Sequence, residues 1–107
     1  MIEQLIKILE DKKADDIQVI DFKGEHSMVD AFIVTSADSQ RQIWAIVNAI
    51  QDGIADIAPF VRVSGDSSST WVSVDCGDVV VHVFDPAERK LYQLEKLWAA
   101  YLKKIAS

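Results

Sequence analysis

Hydrophobic and polar positions follow two different periods along this chain, and the switches between them mark the elements. Ile2, Leu5, Ile6 and Leu9 recur at the three-and-four spacing of one helix face, which predicts an amphipathic helix over 2–13. Over 16–22 the period drops to two. Ile17, Val19 and Asp21 alternate with Gln18, Ile20 and Phe22, the pattern of a strand. KGEH (23–26) reads as a turn, and MVDAFIVTS (28–36), rich in β-branched and aromatic residues, as a second strand. Ser39 with Gln42 three positions later makes a capping box. The helix it opens carries the stripe Ile43, Ile46, Val47, Ile50, Ile54 and Ile57 and stops at Pro59. Three more strands are expected at 60–65, 71–76 and 78–84. Asp85-Pro86-Ala87-Glu88 then supplies a cap, a proline at the first helical position and a glutamate to close the box. Leu91, Leu94, Trp98, Tyr101, Leu102 and Ile105 form the apolar stripe of one last helix. The order is α-β-β-α-β-β-β-α. It predicts an α/β fold, a mixed five-stranded sheet packed with helices, in a single domain over 1–107.

The stretch WVSVDCGDVVVHVF (71–84) has one unusual face. With Cys76-Gly77 as a two-residue turn, Asp75 pairs with Asp78, Val74 with Val79, and Trp71 with His82. Side chains alternate between faces. Val72, Val74, Val79, Val81 and Val83 then point to the core, while Trp71, Ser73, Asp75, Asp78, Val80, His82 and Phe84 share the other side. Two readings fit that mixed face. One is a half-solvated sheet surface with one aromatic pair. The other is a binding face, in which paired acids that repel each other meet a cation or a basic side chain.

Composition narrows the chemistry. The formal charge is −6 and the sequence pI about 4.7, which disfavours direct grip on a phosphate backbone and favours a basic protein partner. Cys76 is the only cysteine, so neither an intramolecular disulfide nor a cysteine metal cluster is available. His26 and His82 are the only histidines and lack metal-ligand spacing. Cys76 sits beside two acids, which raise a thiol pKa, and Ser36 and Ser39 suit capping better than nucleophilic attack. Neither glycine-rich phosphate motif is present. Nucleotidyl transfer needs two carboxylates at i and i+2 on one strand to hold Mg²⁺. Asp30 supplies one, but position 32 is Phe. No metal or cofactor is expected. No leader or membrane-spanning pattern is recognised, which suggests a cytoplasmic protein.

Four stretches together resemble one family. KKADDIQVID (12–21) opens the match. VDAFIVTSADSQRQIWAI (29–46) is similar to its D-x-F-x-x-x-S-x-x-S-x-R-Q segment. The span 71–98 is similar to its W-x-x-x-D-x-G-D-x-x-x-H-x-F and R-x-x-Y-x-L-E-x-L-W signatures. The family is the ribosomal silencing factors, RsfS or Iojap. Ala37 departs from its usual glycine, and AAYLKKIAS (99–107) lies beyond the signatures. The resemblance implies a nucleotidyltransferase-like fold without catalytic activity. It implies a ribosomal silencing factor that binds the large ribosomal subunit through ribosomal protein fourteen at the intersubunit face. Bound there, it would block joining of the small subunit and repress translation when nutrients are short. The residues expected to meet the partner are Trp71, Asp75, Asp78, His82, Tyr92, Glu95 and Trp98, with Tyr92 and Trp98 equally eligible for the core and Arg89 for an internal pair with an acid. Two other readings remain: a Mg-dependent nucleotidyltransferase-like enzyme using Asp30, Asp75 and Asp78, and a homodimeric adaptor joined through the hairpin face.

Overall fold

The computed structural model describes residues 1–25, 28–58 and 60–103, the last by its backbone only. His26, Pro59 and Ile105, which the expected turn, helix stop and C-terminal stripe involve, lie outside the described residues. The elements run α1 (Ile2–Asp11), β1 (Asp15–Asp21), β2 (Ala31–Ser36), α2 (Gln40–Gly53), β3 (Arg62–Ser64), β4 (Trp71–Asp75), β5 (Val79–Phe84), α3 (Pro86–Tyr92) and α4 (Leu94–Leu97). A 3₁₀ turn (Ala99–Tyr101) and a two-residue strand β6 (Leu102–Lys103) follow.

The sheet order is β3-β4-β5-β2-β1-β6. Only β2 and β5 run parallel; the other neighbours are antiparallel. The five expected strands are therefore joined in a mixed sheet, and β6 adds a sixth at the β1 edge. Under one face, Leu5 and Leu9 of α1 and Ile43, Ile46, Val47 and Ile50 of α2 pack on Val19, Ile33, Val72, Val74, Val81 and Val83. Ser39 caps α2 as its spacing requires, its Oγ accepting from Gln42 N–H at 3.1 Å. The return arm differs from a full capping box: Gln42 Oε1 accepts from the N–H of Asp38.

The opposite face is not simply solvated. Ile20, Phe22, Val34 and Phe84 form a second, smaller core, covered by Leu94, Trp98 and Tyr101. Adjacent residues such as Val19 and Ile20 are both buried because the sheet carries apolar cover on both sides.

Two expectations are corrected. The β4–β5 turn is Gly77-Asp78, not Cys76-Gly77. Cys76 N–H donates to the Val79 carbonyl, and the register pairs Trp71 with Phe84, Ser73 with His82 and Asp75 with Val80. Gly77 has φ +97, the positive value that a type II′ hairpin demands at its first central residue. The slip from the expected register is two residues, so every side chain keeps its face. The last helix is also not continuous. Gln93 sits in the left-handed region (φ 49, ψ 50), and the chain bends there from α3 into α4. The stripe is split in consequence: Leu94 and Trp98 pack inward, while Leu91 is 73% exposed; Leu97, outside that stripe, is 71% exposed.

Candidate functional site

The second face of the sheet is covered over β1 and β2 and left half-open over β4. Alternation along β4 and β5 puts Trp71, Ser73, Asp75, Val80, His82 and Phe84 there. Trp71 stacks on its cross-strand partner Phe84, ring centroids 4.8 Å apart and planes 25° apart. Tyr92, at the end of α3 and half-exposed, closes on the same indole at 4.7 Å. The Trp71 indole N–H donates to His82 Nδ1 at 3.1 Å. That bond assigns the proton of the neutral imidazole to Nε2. Phe32 meets the His82 ring edge-on at 4.6 Å. Trp71 is thus held on three sides by rings and by a hydrogen bond, with its remaining surface open. A rigid aromatic held in this way is the type of side chain that anchors protein interfaces.

His82 is 7% exposed, and its Nε2 has no hydrogen-bond partner among the described residues. Burial pushes its pKa down from 6.5 to about 4. Between those values the unfolded chain binds the proton and the native one resists it. Stability is therefore full above about pH 6.5 and falls as the pH drops toward 4, by on the order of 3 kcal/mol in all. Urea unfolding at pH 7.5 and pH 4.5 should show that loss, and His82→Gln should show much less of it. An equal acid-side loss in the variant would exclude His82 as the source.

The other expected contact residues are not gathered at this spot. Asp75 lies four residues along β4 from Trp71, about 13 Å away at strand rise. Its Oδ1 accepts from Gly77 N–H at 2.9 Å, and Asp78 is exposed in the turn. The two aspartates do not face each other across the ladder. Glu95 is turned inward, its Oε1 2.5 Å from Arg89 Nε, which meets the expectation that Arg89 pairs internally. Trp98 packs edge-on to Phe22 at 5.1 Å, on the covered side. Sequence reasoning missed the exposed Leu91, because it placed that residue in a single apolar stripe, and it gave the exposed Leu97 no role beyond its place in the 71–98 match.

Catalytic alternatives gain no geometry. The position where a second Mg²⁺ ligand would follow Asp30 is filled by the Phe32 ring, which packs on Phe22 as well as His82. Among the described residues, no cluster of three or more His, Cys, Asp or Glu is arranged to hold a metal ion. Cys76 is buried, and desolvation, aided by the Asp75 charge, lifts its thiol to about 11. No described helix is long and apolar enough to cross a membrane.

The model of the family described as "Ribosomal silencing factor during starvation" matches residues 1–106. The chain belongs to the RsfS family. Ribosomal silencing factor RsfS of Bacillus subtilis is 41% identical over 90 residues, covering 83% of this chain and 76% of that one. A crystal structure of a Chromobacterium violaceum protein superposes with TM-score 0.84 at 37% identity, over 98% of this chain and 86% of that one. The mouse protein named "Mitochondrial assembly of ribosomal large subunit protein 1" is 33% identical over 101 residues, covering 91% of this chain and 44% of that one. RsfS proteins are ribosome-associated silencing factors, regulatory rather than catalytic.

Proposed function

We propose that this RsfS protein represses translation under nutrient limitation by occupying the large ribosomal subunit and keeping the small subunit from joining. In this reading it works as one domain over 1–107 in the cytoplasm and contacts ribosomal protein fourteen on the intersubunit face. Its nucleotidyltransferase-like fold serves as a binding scaffold. The observation that carries the reading is the half-open aromatic corner: Trp71, stacked on Phe84, flanked by Tyr92 and tied to His82. The family assignment supports the ribosome as the partner, and the mouse relative's name points to the large subunit. No reaction is required. Two proteins competing for one face need only affinity and bulk, and an aromatic anchor supplies affinity where it is desolvated on contact. Asp75 and Asp78, at the far end of the hairpin, would act as outlying acids that steer a basic partner rather than as its anchor.

Co-sedimentation with separated ribosomal subunits, run beside a subunit-joining assay, tests this directly. The expected result is pelleting with the large subunit alone and a dose-dependent fall in joining. Protein that stays in the supernatant with both subunits would overturn the reading. If hairpin-face variants dissociated a dimer and left the ribosome fraction unchanged, the homodimeric adaptor would replace it.

A further inference from the structure

Helix α3 carries Tyr92 to the aromatic corner, yet it has almost no apolar anchor of its own. Its one buried residue is Arg89, and α4 has none. The Arg89 guanidinium makes up the difference by reaching three separate elements. Nε meets Glu95 Oε1 of α4 at 2.5 Å. Nη1 donates to the Asp15 carbonyl at 3.2 Å and to Ser36 Oγ at 3.3 Å. Nη2 lies 3.4 Å from Asp16 Oδ2, an ion pair without hydrogen-bond alignment.

The receiving groups are products of the fold. The β1–β2 register shifts between Asp15 and Gln18, and Asp16 has φ +46. A bulge of this kind interrupts the ladder and turns backbone groups toward other partners. Thr35 Oγ1 and Arg89 Nη1 both donate to the Asp15 carbonyl. The Glu95 contact is equally particular. Residues six apart on a continuous helix point about 120° away from each other and cannot pair. Arg89 and Glu95 meet only because the chain bends at Gln93, where the Gln93 N–H donates to the Arg89 carbonyl. The bend that separates Leu91 from the covered Leu94 and Trp98 is the same bend that this ion pair closes.

We propose that Arg89 is the positioning residue of the partner-binding surface: clasped by Glu95 and seated on the β1 bulge, it sets α3 so that Tyr92 flanks Trp71. The proposal rests on the large-subunit reading for its functional consequence, but not for its geometry. Arg89 touches the partner through nothing of its own. It acts through Tyr92 and the bend.

Arg89→Lys keeps the positive charge but loses the planar fork that serves several acceptors at once. Nuclear Overhauser contacts between the Trp71 indole and the Tyr92 ring provide a readout that needs no ribosome. In Arg89→Lys and in the milder Glu95→Gln these contacts should weaken, while those among the Phe22, Phe32 and Trp98 rings persist. Affinity for the large subunit should fall tenfold or more in Arg89→Lys. In a Tyr92→Ala background the same substitution should cost less than threefold further, since groups acting as one unit are non-additive. Unchanged Trp71–Tyr92 contacts in both folded variants would overturn the proposal. So would a full tenfold loss on top of Tyr92→Ala. If the native protein binds neither subunit, the functional reading fails while the ring contacts still decide the positioning role.

Discussion

Trp71→Ala is expected to lower affinity for the large ribosomal subunit at least about 30-fold, the equivalent of the ~2 kcal/mol that defines an interface hot spot. The indole stacks on Phe84, touches Tyr92 and leaves its remaining surface open at the half-covered end of the sheet. Truncation removes the anchor and also releases Tyr92. The domain should remain folded, because the larger core under α1 and α2 lies on the opposite face and contains none of these rings. Circular dichroism is expected to retain its helical bands, with a lower melting temperature from the lost stacking. Trp71→Phe separates the two effects. It keeps an aromatic ring on Phe84 but deletes the hydrogen bond to His82 Nδ1, and should bind more tightly than Trp71→Ala. Co-sedimentation titrations measure both. Native-like affinity in a folded Trp71→Ala protein would remove this corner from the interface.

Ile33→Ala should have the largest effect on stability, about 2–5 kcal/mol. Ile33 is fully buried on β2, between β1 and β5, with its side chain in the core beneath both helices. The substitution deletes methyl and methylene groups and leaves a cavity that a sheet closed on both sides relaxes into poorly. Against a total of about 5–15 kcal/mol for a domain, that is a severe loss. A drop of roughly 8 °C or more in melting temperature follows for a chain of this size. Urea unfolding monitored by circular dichroism measures it. A midpoint within error of the native protein would mean that the smaller aromatic core, not the helix-covered one, holds the domain together.

The legible parts of the fold are those with local causes. Ser39 caps α2 through its own side chain, and Asp85 caps α3 by accepting from Glu88 N–H at 2.7 Å. The polar and apolar alternation over 71–84 assigns each hairpin residue to its side of the sheet even though the inferred turn is displaced. A slip of two preserves parity, whereas the pairing partners depend on where the turn forms. Asp75 and Asp78 face each other only in the inferred register; in the structure Asp75 pairs with Val80 and Asp78 lies in the turn.

The candidate site was half legible. Trp71 and His82 come together as expected, through a diagonal hydrogen bond rather than a direct cross-strand pair. Glu95 and Trp98 share a motif with Tyr92, but the bend at Gln93 sends them elsewhere. No glycine or proline announces that bend. An internal acid partner for Arg89 was legible, but not which one: its partners come from residues 15, 16, 36 and 95, distributed along the chain.

What the sequence by itself determined is the α/β class, the caps, the order of the main elements and the two sides of the hairpin. Each depends on residues within a few positions of one another, where backbone geometry alone brings side chains into contact. The tertiary structure alone decided the strand order, the burial of the second face, the break in the last helix and the meeting of Tyr92 with Trp71. Those depend on groups far apart in the chain, above all on one guanidinium that finds its partners only after β1, β2 and α4 have assembled around it.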